Sequence, residues 1–395
     1  MSIVSQRHRR AIVLAIATAV FGVTVSACGS TSSSSNTGAS SSGGAGSSTS
    51  SSASSSTPSA NVTAAQADAA PYTGKASAFP VDQPLTKRPA AGATLAYLQC
   101  SAVTCGVLAQ VLGGVSKTLG VKLHIVSTGA SVSDEVTAMN SIIASKPAIV
   151  VLPGLAAQPI CAQMKQLSAQ GAAVATLGMD NVSQCGVKAA INGESSAELG
   201  GRLLADWVVM QKGSKANVVF YYTPELSFSP FEQHAFQAQL TKLCPSCTAR
   251  FVDLPLAGYG TSAPGTVVSD LQSHPQTNVA LFVSEEAASG LPAAMKTAGL
   301  THVLTNGWGP EPANLQDIKS GGLTGGVGVD VVTMTWEAVD AAARIATGQA
   351  LTAGEQQGIP PTQLLAQKDI TFNPATGFLP YPNVAQRFAT LWAAH

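Results

Sequence analysis

The chain has 395 residues, a formal net charge of +0 and only 11% charged residues. No block of Lys and Arg follows the first dozen residues, which argues against nucleic acid as a partner. Hydrophobic residues make up 45%, and the length suffices to bury cores in two lobes of ordinary size.

The chain opens with Arg7, His8, Arg9 and Arg10, then an uncharged stretch from Ala11 to Val25, then Ser26, Ala27, Cys28 and Gly29. Charge, apolar run and small residues in that order are the pattern of a secretory signal. The apolar run is shorter than the roughly 20 residues a membrane-spanning helix needs. A cleaved signal with an incidental cysteine is the bland alternative. The arrangement resembles a bacterial lipoprotein signal peptide, which implies removal of residues 1–27 and a lipid on Cys28. The protein is then expected outside the cytoplasm, anchored to the cell membrane. Residues 28–60 hold the anchor cysteine and a tract of Ser, Gly, Thr and Ala with no charge. Such a segment cannot offset its chain entropy by burial and reads as a disordered linker, with an end-to-end distance of roughly 30 Å. Residues 61–90, with Pro71, Pro80, Pro84 and Pro89, read as an extended lead-in.

From Ala91 onward, short β-branched runs alternate with amphipathic segments. The expected strands are Thr94–Gln99, Lys122–Ser127, Ala148–Pro153, Ala172–Leu177, Val187–Ile191, Asn217–Tyr222, Ala249–Leu254, Val279–Val283, Val303–Asn306 and Leu323–Val329. Helical periodicity marks Val107–Leu119, Asp134–Ser145, Ile160–Gln170, Glu194–Met210, Phe231–Leu243, Ala263–Ser273, Leu291–Ala298 and Thr335–Thr347. This predicts an α/β protein with parallel sheets covered by helices, in two sets. Ligands of such folds bind at the edge where the strands end.

Besides Cys28 there are six cysteines: Cys100, Cys105, Cys161, Cys185, Cys244 and Cys247. An even number in an exported chain points to disulfides, and nearest-neighbour pairing is the simplest of many connectivities. Cys244-Pro-Ser-Cys247 also fits a redox-active CxxC, but it closes a helix, where such motifs normally open one. The cysteine pairs are too scattered for one zinc site, and the histidines do not fall at ligand spacing. No metal and no cofactor is expected.

Several stretches carry a family resemblance. Ser133-Asp134-Glu135 through Lys146-Pro147-Ala148-Ile149-Val150-Val151-Leu152-Pro153 resembles a helix and third strand of type I periplasmic binding proteins. Val279 to Gly290 resembles their strand ending in an Asn-Asp pair. Leu315 to Gly325 resembles their late helix, glycine and strand, and Trp336 to Gly348 the helix that follows. In this order they are similar to the solute-binding lipoprotein of a sugar-type ABC importer. The resemblance implies two Rossmann-like lobes joined by three crossovers: lobe one at 91–192 plus 330–362, lobe two at 193–329 plus 363–395. It also implies a small polar solute in the cleft, an ABC permease in the membrane as partner, and a monomer.

Mapped through the resemblance, the ligand-binding candidates are Gln99 and Ser101 after the first strand and Asp180 after the fourth. In lobe two they are Tyr222, Phe231, Glu232, Glu285, Glu286, Asn306 and Trp308, with Asp330 at the second crossover. The family's arginines are replaced: Glu232 stands where a base is usual, and no Arg follows Asp180. Each candidate has a bland reading. Glu285 and Glu286 open a helix, where carboxylates complement the dipole. Glu232 reads more simply as a solvated helix residue, and Asp330 reads equally as a helix cap. Tyr221 and Tyr222 point to opposite faces, so one belongs to the core. Trp308 sits among Gly and Pro, which favours the cleft. A cleft of carboxylates and aromatics suits a sugar or an amine-bearing cation. No nucleophile, P-loop or HExxH pattern supports an enzyme. A tethered sensor feeding a signalling receptor has the same sequence features as an importer component.

Overall fold

The structure, a computed structural model, describes residues 60–129 and 131–393. The signal segment, Cys28 and the Ser-rich linker lie outside the described residues.

The first helix, α1 (Val62–Ala69), falls inside the segment expected to be extended. Asn61 caps it by accepting from the Ala64 amide, and Ala65 and Ala69 are the buried positions. Alanines one turn apart form a real but faint apolar stripe, which is why the helix is hard to see in sequence.

Lobe one follows as β1 (Thr94–Gln99), α2 (Val103–Leu119), β2 (Lys122–Ser127), α3 (Val132–Ala144), β3 (Ile149–Leu152), α4 (Ala157–Ala169), β4 (Ala173–Leu177) and β5 (Ala189–Ile191). The strands form one parallel sheet in the order β2-β1-β3-β4-β5. Alternation along the strands divides the core. Leu95, Tyr97, Ile149, Val151, Ala173 and Ala175 face one layer of helices. Ala96, Leu98, Val150, Leu152 and Val174 face α3 and α4.

Lobe two repeats the plan with α5 (Glu194–Lys212), β6 (Asn217–Tyr222), α6 (Ser229–Leu243), β7 (Thr248–Asp253), α7 (Ala263–Ser273), β8 (Val279–Phe282), α8 (Leu291–Thr297), β9 (Leu304–Gly307), α9 (Pro312–Ser320) and β10 (Gly325–Val329). Its parallel sheet runs β7-β6-β8-β9. Val218, Phe220, Val279 and Leu281 pack with α1, α5 and α6, and Val219, Tyr221, Ala280 and Phe282 pack with α7, α8 and α9. The chain then returns through α10 (Val331–Ala346), α11 (Ala353–Gln357), β11 (Thr362–Ala366) and α12 (Val384–Trp392). β11 pairs antiparallel with β10, so the returning and departing crossovers form a two-stranded ribbon at the hinge.

The C-terminal helix corrects an expectation. The resemblance places residues 363–395 in lobe two, but Val384, Phe388 and Trp392 of α12 pack into the lobe-one core. Trp392 lies 5.4 Å from Trp336 of α10, ring centroid to ring centroid, and donates its indole N–H to Asp340. The i, i+4, i+8 spacing of these three residues makes one apolar stripe, which α10 and α2 cover. Residues 364, 365, 370 and 378 do stay with lobe two.

The lead-in also departs from expectation. Its prolines punctuate a strap that touches both lobes: Ala65 and Ala69 are buried in a lobe-two core, while Val81 and Leu85 are buried in lobe one.

The three cysteine pairs are bonded as nearest neighbours: Cys100–Cys105, Cys161–Cys185 and Cys244–Cys247. Cys244 sits at the C-terminal end of α6. A helix C-terminus carries partial negative charge and disfavours a thiolate, so this CxxC is placed as a staple rather than a reactive thiol pair.

Removing the α12 anchor tests the corrected lobe assignment. Trp392→Ala should cost about 3–5 kcal/mol in urea unfolding. A cost below about 0.5 kcal/mol, the range of surface substitutions, would remove α12 from the lobe-one core.

Candidate ligand cleft

The loops after the strands bring the two lobes into contact. Ser227, between β6 and α6, donates to Asp180 Oδ2 at 3.1 Å, and Asp180 follows β4. On the other side, Thr104 near the start of α2 donates to Glu311 of lobe two at 3.3 Å. Asp180 is 3% exposed, and its second oxygen is buried with no hydrogen-bond partner. Burial pushes this carboxyl up to about 6; the Ser227 bond opposes the shift and the Glu194 charge adds to it.

Glu232 lies in the first turn of α6 and is 0% exposed, with neither carboxyl oxygen hydrogen-bonded. Burial raises its pKa well above the usual carboxylate range. The solvated-helix reading therefore fails for this residue. The α6 backbone is pulled in tightly: a side chain at Gly201 of α5 would collide with the Glu232 carbonyl. Nearby, Thr223 and Tyr259 share a hydroxyl–hydroxyl bond of 2.6 Å, and Tyr259 feels the charges of Glu286, Glu232 and Glu225. Glu286 is half-buried, and its pKa is raised by burial and by Glu311. Thr223 and Tyr259 are thus bonded to each other within the field of several acids, and Glu311, whose charge acts on Glu286, reaches lobe one through Thr104.

Gln99 is half-buried at the end of β1, and Ser101 is exposed in the loop stapled by Cys100–Cys105. Tyr222 and Phe231 are half-buried, with Tyr222 against the lobe-two core. Its neighbour Tyr221 is the core residue, donating to Asp270 at 2.7 Å and stacking on Phe282.

Four further candidates are each buried in surroundings of their own. Glu285 is 1% exposed, and its carboxyl lies against Gly326 of β10, where any side chain would collide with it. Burial and Asp317 raise its pKa well above normal. Asn306 is buried in β9 with both amide atoms unpaired, beside Gly325 of the hinge ribbon. Trp308 is 7% exposed and lies over Gly200 of α5, whose added Cβ would sit 2.7 Å from the ring. It belongs to the lobe-two core, so its Gly/Pro-rich surroundings reflect tight packing. Asp330 caps α10, accepting from the Val332 and Thr333 amides at 3.1 and 2.9 Å and from the Thr333 hydroxyl at 2.6 Å. Its oxygens are engaged by that cap.

Sequence reasoning missed Thr104, Ser227, Tyr259 and Glu311. Tyr259 and Ser227 do follow strands β7 and β6, and that edge rule is the one signal that could have found them.

Residues 111–350 match the periplasmic binding protein domain family, and the chain belongs to it. That is a family of binding domains, not enzymes. Solved structures share the two-lobed fold. A carbohydrate transporter solute binding protein from Agrobacterium radiobacter, in complex with D-arabinose, is 19% identical, covers 73% of this chain and 99% of its own, and has a TM-score of 0.59. An ABC transporter periplasmic solute binding protein from Actinobacillus succinogenes 130z with bound D-allose is 15% identical, with coverage of 70% and 99% and a TM-score of 0.60. A 5-methylthioribose transporter solute binding protein from Thermotoga lettingae TMO is 14% identical, with coverage of 75% and 98% and a TM-score of 0.60. Among curated proteins, none matches in sequence.

The buried acids set a pH dependence. Asp180, Asp206 and Asp330 are each raised to about 6 from an ordinary value of 3.8. Between those values the folded chain holds protons that the unfolded chain has lost, so stability falls as pH rises through that window. Melting temperature should be higher at pH 5 than at pH 7.5, and Asp180→Asn should narrow the difference. A melting temperature that rises across the interval would contradict these burials.

Proposed function

We propose that the chain is an extracytoplasmic solute-binding protein that captures a small polar solute between its lobes and delivers it to an ABC permease. The observation that carries this is the pairing of Asp180 with Ser227 across the lobes, at the strand ends where this fold presents ligands. The pairing spans the two lobes, so a solute touching both would favour closure. Gln99, Ser101, Asp180, Tyr222, Phe231, Glu232 and Glu286 are the contacts we assign, with Tyr259 and Thr223 added. Carboxyls and hydroxyls accept hydrogen bonds from sugar hydroxyls, and Phe231 or Tyr222 offers a ring face. The sugar ligands of the structural neighbours point the same way. In this reading Cys28 carries the lipid, and the Ser-rich linker lets the receptor range beside its membrane partner.

Charge favours a second reading, an amine-bearing solute. Glu232 is buried with no hydrogen-bond partner and no basic group acting on it, and Asp180 and Glu286 each have a further acid as their charged neighbour. A protonated amine would supply the missing positive charge and draw the proton off Glu232.

A thermal-shift screen of D-arabinose, D-allose and D-glucosamine tests both readings. A stabilising sugar supports capture, and no shift with any polar solute contradicts it. If the amine matters, D-glucosamine binding at pH 7 releases protons, seen as a binding enthalpy that varies with buffer ionisation heat. Equal enthalpies in two buffers would rule out an amine set on Glu232. Cys28→Ser should release the protein from membranes into the soluble fraction, and retention would contradict the lipid anchor.

A further inference from the structure

Residues 61–86 form a connection between the lobes that is additional to the three hinge crossovers. At its start, the Asn61 amide donates to the Leu243 carbonyl at 2.7 Å, and Ala65 and Ala69 of α1 are buried in lobe two beside α5 and α6. At its end, Val81 and Leu85 are buried in lobe one, where the Leu85 amide donates to Leu391 of α12 at 2.9 Å. Arg344 donates to the Gln83 carbonyl from a buried cluster with Asp340 and Glu355. The Thr86 amide and hydroxyl reach Gln349 at 2.7 and 2.8 Å. α11 receives the strap closely, since a side chain at Gly354 would collide with the Pro80 carbonyl.

Between these anchors the strap is fixed to the hinge itself. Thr73 bridges Leu364 of β11. Ser77 exchanges two bonds with Thr362 of β11, at 2.9 and 3.0 Å, and its carbonyl accepts from the Tyr381 hydroxyl at 2.7 Å. β11 is the strand along which the chain crosses between lobes, so rotation about the hinge must flex or peel residues 73–78. Gly74 and Lys75 are exposed, and Gly74 has a φ of +74° with no atom near its Cα hydrogens.

We propose that this N-terminal strap is a fourth hinge element that holds the lobes in the contacted arrangement and thereby sets solute affinity. The geometry requires it to act on closure, because one end is buried in each lobe and its middle is bonded to the crossover strand. A chain that spends part of its time open binds more weakly in proportion to the competent fraction. Release of the strap would lower that fraction. The proposal rests on lobe motion and not on which solute fills the cleft.

The test inserts eight Gly/Ser residues between Gly74 and Lys75, which slackens the strap and leaves every anchor in place. The full chain carries Cys28→Ser, so that the remaining six cysteines stay paired, and spin labels at Ser141→Cys and Thr241→Cys report the distance between lobes. A matching insertion between Thr301 and His302, an exposed turn of lobe two, controls for insertion as such. The strap insertion should lengthen and broaden the inter-lobe distance while the control leaves it unchanged. Affinity for the best-binding sugar of the screen should fall at least about fivefold, the effect of an equal loss in competent fraction. Unchanged distances with the slack strap, or equal changes with both insertions, would overturn the proposal. Absence of any binding sugar would defeat the solute reading alone, because the distance readout stands without ligand.

Discussion

The burial of Asp180 against Ser227 is the constraint on which the functional account depends. It joins the two lobes at their strand ends, and it leaves one carboxyl oxygen shut away from water without a donor. An unpaired buried acceptor is costly, and the carboxyl answers by holding its proton more tightly. The same trade is made at Glu232, which is more deeply buried and has no partner on either oxygen. Proteins tolerate such groups where a binding partner will satisfy them. Under the proposed reading, a donor-bearing solute between the lobes would satisfy these oxygens.

Much of the architecture was legible in the chain. All ten expected strands form; the clearest, such as β3 and β8, are short apolar runs buried on both faces inside a parallel sheet. Elements outside that pattern were missed. β11 is a short strand at the hinge, α1 buries only alanines, and α12 follows a Pro-rich loop that hides its destination. Which lobe a terminal helix joins is decided by a partner stripe on α10, far away in sequence.

The candidate site was less legible than the fold. The rule that ligands sit after strand ends pointed to Asp180 and the resemblance pointed to Glu232, but neither could tell inward from sideways. Glu285 and Glu286 are neighbours, and a turn of backbone sends one against Gly326 and leaves the other beside Glu311. Trp308 follows a strand as a ligand-stacking residue would, yet Gly200 admits its ring into the core. Small residues on the facing helix decided its position, and no local signal near residue 308 records them.

The most direct test is backbone hydrogen exchange of the full chain with and without the most stabilising member of the D-arabinose, D-allose and D-glucosamine panel. Binding between the lobes predicts slowed exchange in residues 178–182 and 223–232 together, one segment from each lobe. Slowing confined to a single lobe, or exchange unchanged in both segments, would contradict solute capture in the cleft.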